Sequence, residues 1–234
     1  YHLVAAVRNA VEMITEGEDI LDVVGEATRP GYEKISAEEE SGRIVPVIEK
    51  LKNRFDIPVS VDTCKSQVAE AALKAGADLV NDIWGLKYDS RMAGVIAKYH
   101  VPCCLMHNRE RAEYEEFLPD VLKDLEDSVN LAKAAGISRD QIILDPGIGF
   151  GKTYEMNLEM LKHMEALHRL GYPLLLGTSR KSVIGITLDL PVDQRMEGTL
   201  ATTVLGVQNG YSFVRVHDVK ANYRAVKMTE AILS

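Results

Sequence analysis

An α/β fold built on a parallel sheet is what the sequence predicts, and two patterns predict it. Seven short apolar runs rich in β-branched residues alternate with longer stretches of helical spacing. The runs are almost continuously apolar, as strands buried on both faces are, rather than alternating in-out.

The strand-like runs are 19–25 (DILDVVG), 57–63 (IPVSVDT), 78–85 (DLVNDIWG), 101–107 (VPCCLMH), 141–147 (QIILDPG), 173–179 (PLLLGTS) and 213–218 (FVRVHD). The first helical stretch is 1–17, where Val4, Val7, Val11 and Ile14 recur at three and four residues. The second, 36–54, opens Ser-Ala-Glu-Glu in a capping-box pattern, with the acidic run Glu38, Glu39 and Glu40 serving the helix dipole. Further helices are expected over 65–75, 89–99, 118–135, 153–170, 191–208 and 220–233. Gly17, Gly76, Gly136, Gly171 and Gly210 each follow a helical stretch, where a left-handed cap is wanted.

Seven strands and eight helices, helix first, leave an open doubly wound sheet or a closed barrel. Polar residues close nearly every strand, which favours a (β/α)8 barrel of the TIM type, whose reactive groups sit at the C-terminal strand ends. Such a barrel begins with a strand, so one strand and its loop are expected before Tyr1. No linker, low-complexity tract or repeat divides the 234 residues, and a single domain over 1–234 is expected.

An apolar share of 46% and a charged share of 26% suit one sizeable core, and a net charge of −8 argues against a general nucleic-acid surface. No signal peptide stands out, and no apolar stretch approaches the ~20 residues that span a membrane. A cytoplasmic protein without nucleic-acid or membrane partners is expected. Cys64, Cys103 and Cys104 form no CxxC pair and read as small buried hydrophobes, with Cys103 and Cys104 on opposite sides of a strand.

The strand ends carry the chemistry. In order they supply 25–31 (GEATRPG), Asp62-Thr63, Asn81-Asp82, Met106-His107-Asn108, Asp145-Pro146-Gly147, 177–182 (GTSRKS) and Arg215-Val216-His217-Asp218. Asp62, Asn81 and Asp145 are compact polar groups inside apolar strands, which suits a flat heterocycle with several N–H groups. Lys181, Arg215 and His217 are cationic donors suited to a phosphate-like anion. Together they describe a nitrogenous ring carrying a phosphoryl group.

These segments, with SVDT at 60–63, NDIWG at 81–85, LMHN at 105–108, LDPGIGFGKT at 144–153 and RVHDV at 215–219, resemble the dihydropteroate synthase family of pterin-binding barrels, in its order and over the whole chain. The resemblance implies a pterin bonded by Asp62, Asn81, Asp145 and Lys181, with Met106 and Gly177 lining its pocket. It implies a diphosphate on Arg215 and His217, and p-aminobenzoate on Thr28, Arg29, Pro30, Phe150, Lys181 and Ser182. Lys181, Arg215 and His217 are the implied catalytic groups. The implied reaction condenses 6-hydroxymethyl-7,8-dihydropterin diphosphate with p-aminobenzoate, assisted by Mg2+, in a homodimer that sulfonamides inhibit. The family's asparagine ligand for the metal precedes Tyr1, so no metal ligand is expected in this chain.

Two positions depart from the family pattern. Val24 stands where a glycine is usual, and Ala27 replaces a serine. These departures, with the expected missing strand, leave a non-catalytic pterin-binding homologue as the rival of another class. A pterin-dependent methyltransferase is the enzyme rival, but it would lack the Ser179-Arg180-Lys181 run and the Thr28-Arg29-Pro30 loop. The run 147–153 looks like a phosphate loop, yet only three residues separate Gly147 from Gly151 where four are needed. His107 reads as a core or rim histidine satisfied by backbone, and Trp84 as packing or stacking.

Overall fold

The computed structural model describes residues 3–28 and 32–234. The chain divides into two compact units, Tyr1–Leu105 with Ser128–Ile142, and Met106–Asp127 with Ile143–Ser234.

The first unit alternates α1 (Leu3–Thr15), β1 (Leu21–Val24), α2 (Ala37–Arg54), β2 (Val59–Asp62), α3 (Ser66–Lys74), β3 (Leu79–Asp82), α4 (Met92–Tyr99) and β4 (Cys103–Met106, its last residue in the second unit). The four strands are parallel neighbours in chain order, with Val24 opposite Asp62, Asp62 opposite Asn81, and Asn81 opposite Cys104. Val59, Val61, Val80 and Cys103 are fully buried, as expected of strands covered on both faces. Helix α2 starts as its sequence requires: Ser36 Oγ accepts from the Glu39 N–H at 3.1 Å. Ile44, Val47, Ile48 and Leu51 recur at three and four residues and form its buried face.

The second unit carries β5 (Ile142–Asp145, its first residue in the first unit), α6 (Tyr154–Lys162), β6 (Leu175–Leu176), α7 (Ser182–Leu188), α8 (Met196–Gln208), β7 (Phe213–Val214) and α9 (Val219–Leu233), with α5 (Phe117–Ala134) straddling the division. Leu144 bridges Leu174 in parallel, and β6 pairs with β7 through Leu175–Phe213 and Leu176–Val214. Strand and helix thus alternate as the sequence predicts, and all five predicted capping glycines have positive φ, between 73° and 111°.

Two local differences stand out. The helix expected over 153–170 ends at Lys162, and a 3-10 segment, Met164–Leu170, follows. With three residues per turn that segment stacks Met164 and Leu167, both buried, on one line. The stretch after the GTSRKS motif, unassigned from sequence, forms α7 and closes on Asp189 in the left-handed conformation. Val24 is an ordinary residue of an extended strand, where a β-branched side chain is at home. The glycine that is required here is Gly25, whose Cβ would come 2.6 Å from Ile44 Cγ2.

Candidate active site

In the first unit the parallel register sets Asp62 and Asn81 side by side at the C-terminal ends of β2 and β3. They are 3% and 6% exposed. Asn81 Oδ1 is buried and accepts no hydrogen bond among the described residues, a cost that a ligand N–H would relieve. The next residue, Asp82, is spent on the fold. It accepts the N–H groups of Trp84 at 2.9 Å and Leu86 at 3.0 Å, and burial pushes its carboxyl up to about 6 against those two bonds.

The segment after β1 is clasped by an ion cluster that the sequence reading missed. Lys65 Nζ reaches Glu40 Oε2 at 2.8 Å, Glu26 Oε2 at 3.2 Å and the Ile35 carbonyl at 2.8 Å, while Glu26 Oε1 accepts the Ile35 N–H at 2.8 Å. Glu40 stands in the first turn of α2, as the acidic run predicts, and at 1% exposed it also belongs to this cluster. Thr28 lies half-buried in the same segment. Arg29 and Pro30 lie outside the described residues.

In the second unit Met106 is buried at the end of β4, and His107 N–H donates to the Asp145 carbonyl at 2.9 Å. Asp145, 6% exposed at the end of β5, accepts the Gly147 N–H at 2.8 Å. Burial holds its carboxyl above the ordinary range, opposed by Lys181, by the Gly147 bond, and by Lys152 and Arg215. Gly177, at the end of β6, faces both Lys181 and Asp145: a Cβ there would lie 3.7 Å from Lys181 Nζ and 3.9 Å from Asp145 Oδ2. Lys181 Nζ donates to the Ile148 carbonyl at 2.5 Å and lies 5.0 Å from the centre of the Phe150 ring. Asp145, Phe150, Gly177 and Lys181 are therefore brought together as expected. Ser182, the first residue of α7, is exposed beside Lys181 in sequence.

Arg215 and His217 follow β7 and are exposed. Ser179, absent from the sequence-based site, holds His217: its Oγ lies 2.7 Å from Nδ1 and accepts the His217 N–H at 3.1 Å. Arg180 has φ 58° and is fixed by Asp218, 2.8 Å from its guanidinium, and by Arg195, whose Nη1 donates to its carbonyl at 2.9 Å. His107 is buried but bonded through side chains rather than backbone alone. Its Nε2 lies 2.8 Å from Asp124 Oδ2, and its Nδ1 lies 2.8 Å from Lys152 Nζ. Arg109 Nε donates to the same Asp124 oxygen at 2.7 Å. Among the described residues no three His, Cys, Asp or Glu gather to hold a metal ion.

A carboxylate and an ammonium facing each other across a glycine, with an arginine and a histidine one strand away, can hold a ring with N–H donors and an anionic tail. Comparison with known proteins points the same way. The family model of pterin binding enzymes matches residues 2–217. A dihydropteroate synthase of Clostridium beijerinckii is 59% identical over 229 residues, which are 97% of this chain and 85% of that one. The chain belongs to the dihydropteroate synthase family. A crystal structure of the Clostridium difficile dihydropteroate synthase in the presence of pteroic acid matches with a TM-score of 0.97 and 48% identity, over 98% of this chain and 88% of the other. The Xanthomonas albilineans dihydropteroate synthase with 4-aminobenzoic acid matches at 0.95 and 38%, over 99% and 85%. The α/β fold of this family, a TIM-type barrel, is the class expected from the strand and helix pattern.

Proposed function

We propose that the chain is a transferase making 7,8-dihydropteroate for folate biosynthesis. The exocyclic methylene carbon of 6-hydroxymethyl-7,8-dihydropterin diphosphate loses its bond to oxygen, pyrophosphate departs, and the aniline nitrogen of p-aminobenzoate bonds to that carbon and releases a proton. The observation that carries this reading is Asp145 facing Lys181 across Gly177 in a chain of this family.

Asp145 is buried at the strand end, and pterin N–H donors would add hydrogen bonds to its carboxylate. Asn81 offers a buried carbonyl, and Asp62 a carboxylate in register with it, to N–H groups of the same kind. Met106 and Gly177 give apolar contact. Arg215 and His217 donate to the diphosphate, and holding the leaving anion lowers the barrier to a step that builds positive charge on the pterin. Phe150, Lys181 and Ser182 are the residues of the second unit proposed for p-aminobenzoate, and the family resemblance assigns Thr28, Arg29 and Pro30 to the same substrate. Sulfonamides, as p-aminobenzoate mimics, compete there.

Mg2+ is proposed to come with the diphosphate and neutralise part of its charge. Among the described residues no three His, Cys, Asp or Glu gather to hold such an ion. We also propose a homodimer through α8 and α9, on which Leu205, Met228, Ile232 and Leu233 are exposed apolar residues. A cytoplasmic site of action is proposed; no helix among the described residues is long and apolar enough to cross a membrane.

The test is product formation from the two substrates with magnesium, on this chain and on a version given a further N-terminal strand. Sulfonamide-sensitive dihydropteroate formation in either supports the assignment. Silence in both, with the dihydropterin diphosphate still bound, replaces it with a non-catalytic pterin-binding role.

A further inference from the structure

The glycine-rich turn between β5 and α6 has to present two groups to Lys181, the Ile148 carbonyl and the Phe150 ring. Its backbone is not one that side chains favour: Gly147, Gly149 and Gly151 have φ of 73°, 88° and 57°. Three glycines so close make the unfolded turn permissive, and something must select the folded geometry. A Cβ on Gly147 would overlap the His107 carbonyl, so the turn is packed against 107–109.

Polar contacts do the rest. Asp145 Oδ1 accepts from Gly147 N at 2.8 Å, Asn157 Oδ1 from Gly149 N at 2.8 Å, and the Gly151 carbonyl accepts from Tyr114 at 2.6 Å. Lys152 grips the turn at both ends. Its Nζ donates to the Gly147 carbonyl at 2.9 Å and to the Phe150 carbonyl at 3.0 Å. Its third contact is His107 Nδ1 at 2.8 Å, and His107 in turn meets Asp124, which Arg109 also binds. Burial lowers the Lys152 pKa to about 7; in its ammonium form it has three N–H groups and no acceptor, and in that form Nδ1 accepts and Nε2–H donates to Asp124. The lysine is thereby tied to a carboxylate through one ring.

We propose that Lys152 is a positioning residue for the aromatic-amine substrate, clamping the Gly147 and Phe150 carbonyls so that Ile148 and Phe150 meet Lys181. The substrate named here rests on the assignment of Phe150 and Lys181 to p-aminobenzoate. Lys152 itself touches the turn and His107 and is not assigned to the reacting atoms.

Two measurements on Lys152→Met, which fills the space without donors, decide this. The first is amide hydrogen exchange. The clamp requires Gly149 and Phe150 amides to exchange about tenfold faster or more while α6 amides stay unchanged, the loss of one charge-assisted contact being worth roughly that factor. Equal acceleration in turn and helix, or none, overturns the proposal. The second is steady-state kinetics. KM for p-aminobenzoate is expected to rise about tenfold with kcat within about threefold. An unchanged KM beside a loosened turn overturns the link to the substrate. Lys152→Gln, which keeps an N–H donor, is expected to lie between, and carries the same comparison if the methionine variant does not fold. If the unaltered protein makes no dihydropteroate, the functional reading fails on that result alone, while exchange still decides whether Lys152 holds the turn.

Discussion

Ser179 Oγ accepts the main-chain N–H of His217 at 3.1 Å and lies 2.7 Å from Nδ1 of the same residue. With one of its two lone pairs taken by the backbone, the hydroxyl can donate to Nδ1 or accept from it, according to the imidazole tautomer. Where it donates, the proton of a neutral imidazole lies on Nε2, the nitrogen able to donate to an anion. Ser179→Ala is therefore expected to weaken diphosphate binding about fivefold, the worth of roughly 1 kcal/mol. Calorimetric titration with the dihydropterin diphosphate measures it, and equal affinity would remove Ser179 from this role.

Arg215→Ala should cost more. A charge-assisted contact to phosphate oxygens is worth roughly 1.5–3 kcal/mol, so affinity for the diphosphate substrate should drop by about tenfold to a hundredfold. The same titration with the pterin lacking its diphosphate serves as control and should not change.

Lys181 faces Asp145, Phe150 and the Ile148 carbonyl. Lys181→Ala is expected to abolish most turnover and to raise KM for both substrates, because one ammonium serves both. Kinetics with each substrate varied in turn are the check; a rise confined to one substrate would assign Lys181 to that site alone.

Glu40→Gln addresses stability. The carboxylate is buried against Lys65, and removing its charge leaves that ammonium with Glu26 as its carboxylate partner and the Ile35 carbonyl beside it. A loss of about 2–3 kcal/mol is expected in urea unfolding, with faster exchange at the Ile35 amide, which the cluster holds. Loss of stability without change at Ile35 would deny the clasp.

The pH dependence follows from Asp82, raised by burial from 3.8 to about 6. Between those values the folded chain binds more protons than the unfolded one, so this residue's contribution falls as pH rises through the window. Asp82→Asn removes that slope. The stability gap between the unaltered protein and Asp82→Asn should be widest near pH 4 and narrower above 6; a constant gap in urea titrations would contradict the shift.

What could be read from sequence was local. Five capping glycines and the apolar runs mark element ends because a left-handed cap and a buried strand leave their signatures within a few residues. Asp145, Gly177 and Lys181 were legible because strand ends and motif order place them. The clasp of Glu26, Glu40 and Lys65, and the link from Lys152 through His107 to Asp124, were not. Their members lie 14 to 39 and 17 to 45 residues apart, and nothing in a charged residue's type says whether it faces solvent or a partner. The 3-10 break after Lys162 was also invisible, since 153–170 has no proline or glycine to announce it.

Gly147 and Gly177 set contrasting terms for how this protein can diversify. At Gly147 a methyl group collides with backbone, so any replacement is purged as a folding defect before ligand preference is exposed to selection. At Gly177 the same methyl meets only ordinary van der Waals neighbours, one of them the Lys181 ammonium and one the Asp145 carboxylate. A lineage can thin or thicken the slot between those two groups there in a single step, keeping its fold while choosing among rings.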